Sequence, residues 1–149
     1  MNIEQLADRI KEICLNEKDI KSFHIGNTWD QALGKASDVY PAVWIEFPTL
    51  ITYEAKDKIY TFSLDVLMLP KQDDVYDTLS KQSQCEAIID ILLQVFKLKI
   101  ANLSINSADG LTVKNLNADI ACGCRVDLKF VVGRECDPLS HFNETMDRL

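Results

Sequence analysis

The chain has 149 residues, 47% hydrophobic and 26% charged, with a formal net charge of -7, which is the size and balance of one ordinary globular domain. The acidic excess and the scatter of its 16 Lys and Arg argue against direct nucleic-acid binding, which needs a concentrated basic face, and no apolar run approaches the roughly 18 residues that cross a bilayer. Five cysteines without framework spacing read as free thiols of a reducing compartment, and the charged N-terminal stretch lacks the pattern of a secretory signal, so a protein made in a cytoplasm is expected.

Ile3, Leu6, Ala7, Ile10, Ile13 and Cys14 recur at helical spacing with Glu4, Asp8, Lys11 and Glu12 on the other side, which predicts an amphipathic helix capped by Asn2 and ending near 15–18. From Asn16 to Tyr40 no period persists, and Gly26-Asn27, Gly34 and Ser37-Asp38 punctuate a stretch that still carries Phe23, Ile25, Trp29 and Leu33. This is read as a long, partly anchored docking loop over 16–40, because a connection of that length inside a compact domain is usually functional. Ala42 to Phe47 reads as a strand that Pro48 ends or marks as an edge, and Leu50 to Glu54 as its continuation past a kink.

Ile59 to Leu69 alternates, with Tyr60, Phe62, Leu64, Val66 and Met68 facing one way, and Ala55 to Lys58 reads as the hairpin turn before it. Asp73-Asp74 opens a helix whose stripe is Leu79, Cys85, Ile88, Ile89, Leu92, Val95 and Phe96. A weak segment from Ile100 to Ser107 is followed by Asp109-Gly110, a turn signal before Leu111-Thr112-Val113. The clearest strand runs from Asp119 to Gly133, alternating Ile120, Cys122, Cys124, Val126, Leu128, Phe130 and Val132 with mostly polar or small residues.

The expected fold is therefore α+β, a two-layer sandwich in the order α-β-β-α-β-β, with an antiparallel sheet of about four strands and helices on one face. Residues 1–133 form the domain and 134–149 a C-terminal tail, whose Leu139, Phe142, Met146 and Leu149 stand at helical spacing.

Chemistry has little support. Cys122 and Cys124 with Cys136 and His141 offer zinc-type ligands, but two residues apart in a strand both thiols point into an aliphatic row, so no metal site is expected. A thiol nucleophile would need His24 or His141 as its base, and neither histidine has a supporting context. There is no glycine-rich phosphate loop, no His-Glu-x-x-His and no nucleophile elbow, and Asp73, Asp74 and Asp77 read as helix-start charges. An enzyme and a cofactor are not expected. The candidate contact residues are instead Phe23, His24 and Trp29 in the loop and Leu139, Phe142 and Met146 in the tail, because exposed apolar and aromatic groups on irregular segments are means by which one subunit reaches another.

The element order, with the segment Tyr40-Pro41-Ala42-Val43-Trp44-Ile45, the strand from Tyr60 to Met68, the central helix and the segment Ala118 to Cys124, resembles the tail-terminator and neck-ring proteins of tailed bacteriophages. It is particularly similar to those of the crAss-like group. The resemblance covers about residues 1–133. It implies a non-catalytic virion subunit, made in the host bacterial cytoplasm, that forms a ring with copies of itself at the head-to-tail junction. Such a ring meets portal, neck or tail proteins and can surround DNA without reading its sequence. The alternative reading from the residues alone is a monomeric cytoplasmic protein-binding adaptor.

Overall fold

The computed structural model describes residues 1–27, 39–114 and 121–133, apart from the side chains of Asn27, Phe47 and Pro48. Helix α1 (Ile3–Asn16) starts where expected: the Asn2 side chain accepts from the Gln5 N–H while the Gln5 side chain accepts from the Asn2 N–H, a reciprocal cap that satisfies two otherwise orphaned donors. Strand β1 (Ser22–Asn27) follows, then β2 (Ala42–Tyr53), β3 (Asp57–Met68), the long helix α2 (Val75–Lys99), β4 (Leu103–Val113) and β5 (Cys122–Gly133). Asp74 caps α2 by accepting from the Asp77 N–H.

The five described strands lie in the order β1-β2-β3-β5-β4. β1 runs parallel to β2, and the other neighbours are antiparallel. The expectation of a purely antiparallel sheet of about four strands is thereby corrected: the sheet is mixed and larger. The physical reason lies between Asn16 and Tyr40. Six residues of that stretch, Ser22 to Asn27, form β1, with Phe23 and Ile25 in register with Val43 and Ile45 of β2, while the length that follows is what a parallel neighbour needs for its crossover. Part of the stretch read as one docking loop, Ser22 to Asn27, is thus an edge strand of the described sheet, and residues 28–38 of that reading lie outside the described residues.

Two other expectations shift. Asp109-Gly110 is not a turn. Both residues lie inside continuous β4, opposite Asp127 and Val126, and no described glycine has positive φ, so the turn signal was overridden by ladder pairing. Leu79 lies on α2 but stays exposed, and the buried stripe runs through Gln82, Cys85, Ile88, Ile89, Leu92 and Phe96.

The core forms between one sheet face and the two described helices. Leu6 and Ile10 of α1, Cys85, Leu92 and Phe96 of α2, and Val43, Tyr60, Leu64, Val66, Leu128 and Phe130 of the sheet belong to one buried cluster. Phe130 anchors it, meeting Phe62 and Phe96 edge to face at centroid distances of 5.0 and 5.6 Å, an arrangement that adds to area burial. Both described helices thus pack on this face.

Candidate functional site: an open sheet edge and a charged sheet face

β4 is an outer strand of the sheet. Among the described residues only one of its sides is paired, to β5, so alternate N–H and C=O groups point away from the described sheet. Ala108, Asp109, Gly110, Leu111 and Thr112 are all exposed, and Leu111 keeps 62% of its surface in solvent. Natural edges are usually blunted by lysine, proline or a bulge. β4 carries one register irregularity, between Ile105 and Ser107, and one charge, Asp109, so its middle and far end are left able to pair.

Behind this edge lies a groove of about 320 Å³. Glu86, Ile89, Asp90 and Leu93, at i, i+3, i+4 and i+7 on α2, form one wall. Ala108, Gly110 and Thr112 form part of the other. They sit opposite Leu128, Val126 and Cys124, so they face the helix side of the sheet. Their small side chains do not reach α2, and that gap is the groove. Glu86 and Asp90 are exposed, and neither joins a hydrogen bond or ion pair among the described residues.

The opposite face of the sheet is polar. A cross-strand row runs His24, Trp44, Asp65, Arg125, Leu111, and the next runs Gly26, Glu46, Ser63, Asp127, Asp109. The Arg125 Nε–H donates to Asp65 Oδ1 at 2.7 Å and one Nη2–H to Asp65 Oδ2 at 3.1 Å, while Nη2 also bonds Glu46 Oε1. Asp65 is fully buried. Its hydrogen bond and charge raise the Arg125 pKa above the ordinary value. Glu46 has its pKa raised, first by burial and then by the Asp65 carboxylate, against the opposing pull of Arg125. One guanidinium therefore holds two carboxylates in place across three strands, with a third, Asp127, bonded to the Ser63 hydroxyl.

Of the residues singled out from the sequence, Phe23 and His24 lie side by side on β1 and so project to opposite faces. Phe23 is half-buried and packs on the core. His24 stacks on Trp44 at 4.9 Å on the polar face. Trp29, Leu139, Phe142 and Met146 lie outside the described residues, as does the tail that holds three of them. Cys122 and Cys124 are buried against α2, with the Cys124 Sγ–H donating to the Gln82 carbonyl at 3.3 Å. Burial raises both of their thiol pKa values and pushes those of Cys14 and Cys85 up to about 12, the condition of inert thiols. Among the described residues no group of His, Cys, Asp or Glu is placed to hold a metal ion, and no helix is long and apolar enough to cross a membrane.

Sequence reasoning missed the β4 edge and the Arg125 cluster. The edge was hidden because Asp109-Gly110 imitates a turn. Arg125, Asp65 and Glu46 are separated in sequence and share a face only once the register is known, although the odd-numbered polar positions of β3 and β5 carried part of that signal. No protein-family model matches the chain, and no curated protein does.

Proposed function

We propose that this protein is a structural subunit that works by edge-to-edge assembly, forming a ring at the head-to-tail junction of a tailed bacteriophage as tail terminator or neck connector. The observation that supports this best is the β4 edge, eleven residues long and exposed through its centre. Main-chain groups left open along that length favour addition of a strand from a neighbour. Repeated between identical copies, such a head-to-tail contact closes into a ring when the rotation permits. The rest of the sheet is built to hold an edge rigid: both helices back it from one face, and the Arg125 cluster ties β2, β3 and β5 together on the other.

The virion setting comes from the resemblance of short segments and of the expected element order, which the structure amends by one added strand before β2. Light scattering of the reduced protein, alone and mixed with candidate portal or neck subunits, tests the reading. A discrete closed oligomer, or stoichiometric joining to the portal, is expected. A monomer under both conditions would replace the ring with the adaptor reading.

A further inference from the structure

We propose that the β4 edge and the groove behind it receive an extended, positively charged segment of another protein chain, added to the sheet as one more strand. The inference rests on the assembly reading in taking β4 as the contact edge, and it adds the chemistry of the strand that pairs there.

A strand laid along β4 sends every second side chain to the helix side of the sheet. Those side chains come to lie beside Ala108, Gly110 and Thr112, over the groove of about 320 Å³. Its α2 wall offers Ile89 and Leu93, with Cys124 and Val126 below, a surface for the methylene stems of long side chains. Above these apolar residues stand Glu86 and Asp90, one helical turn apart on the same wall and exposed.

No lysine lines the groove among the described residues. Arg125 does, but its guanidinium is engaged by Asp65 and Glu46. The charge left for an incoming chain to meet is therefore negative, which favours Lys or Arg in the added strand and repels phosphate-bearing ligands. A second copy's β4 does not meet this requirement, because Leu103–Val113 carries Asp109 and no cation. Main-chain pairing supplies affinity, and basic side chains on the helix side, their stems over the apolar floor and their charges beside Glu86 and Asp90, supply selectivity.

The test uses the full-length, reduced, ¹⁵N-labelled protein and two probes. One is a capped nine-residue peptide alternating valine with lysine. The other is its twin, with glutamate in place of lysine. The lysine peptide is expected to shift and protect from exchange the amides between Ala108 and Thr112 and to bind roughly tenfold more tightly than its twin, an advantage that shrinks at high salt. In the double variant Glu86→Lys, Asp90→Lys, whose folding is checked by circular dichroism, the preference should reverse.

Equal affinity for the two peptides, or binding of the lysine peptide without change at the β4 amides, would overturn the proposal, as would no binding at millimolar peptide. The two readings fail separately. A protein that stays monomeric with the portal yet takes the lysine peptide at β4 loses the ring and keeps the groove. A ring that forms while the peptide is ignored does the reverse.

Discussion

Replacing Arg125 by methionine keeps a side chain of similar length and removes the guanidinium that joins three strands. In the native protein Asp65 is fully buried and takes two hydrogen bonds from Arg125, while Arg125 and Glu46 retain only 24% and 14% of their side-chain exposure. Little water reaches the cluster, so solvent replaces few of the lost interactions. Removing one partner of such a buried pair costs about 3–5 kcal/mol, chiefly because the other charge stays buried. Against a total stability of about 5–15 kcal/mol for a domain of this kind, Arg125→Met is expected to lose roughly a fifth or more.

Glu46→Gln provides the internal control. Glu46 sits beside Asp65, and burial and that neighbour already disfavour its charge, so neutralising it while keeping an acceptor oxygen should change stability by less than about 1 kcal/mol. Urea unfolding followed by circular dichroism, with the slope checked for constancy, measures both. A loss below about 1 kcal/mol for Arg125→Met, or equal losses for the two variants, would refute the view that Arg125 secures the buried Asp65.

The raised Glu46 pKa sets a pH dependence. A carboxyl group whose folded pKa lies above its unfolded value favours the folded state as it takes up its proton, so the deficit of wild type relative to Glu46→Gln should narrow as pH falls from neutrality through the raised value. A gap that widens on acidification contradicts this. Gly123 faces the backbone of β3, where an added Cβ would stand 1.9 Å from the Val66 carbonyl oxygen. Gly123→Ala should therefore destabilise by about 1–3 kcal/mol or more, and an unchanged urea midpoint would show that the strands can part there freely. Cys14 and Cys85, with pKa values of about 12, should resist iodoacetamide at pH 8 until urea unfolds the chain, as peptide mass mapping would report.

Much of the scaffold was legible because its signals are local. The stripe from Ile3 to Cys14, the alternation of β3 and that of β5 each announce an element by period alone, and the core residues Tyr60, Phe62, Leu64, Leu128 and Phe130 follow from which phase is apolar. β1 was not legible because six residues carrying only Phe23 and Ile25 on one face, followed by Gly26-Asn27, look the same in a loop and in an edge strand. Whether such a segment pairs, and in which direction, is decided by β2 beside it.

β4 failed for a related reason. Ser104, Ser107 and Asp109-Gly110 are poor strand formers whose conformation is imposed by the long, strongly patterned β5 beside them. The candidate contact surface thus arose where local preference was weakest and tertiary pairing strongest. Trp29, Leu139, Phe142 and Met146 lie outside the described residues, so the contact surface proposed here is β4 with its groove.

The most direct test of the assembly account compares the mass in solution of wild type and Leu111→Lys, each reduced, alone and with the portal. Leu111 is exposed in the subunit, so the lysine leaves the fold intact while placing a charge in the C-terminal half of the open edge. The account predicts a closed oligomer or portal complex for wild type and its loss, or at least a tenfold weaker association, for the variant. Identical masses for the two proteins, or a wild type that remains monomeric beside the portal, would contradict it.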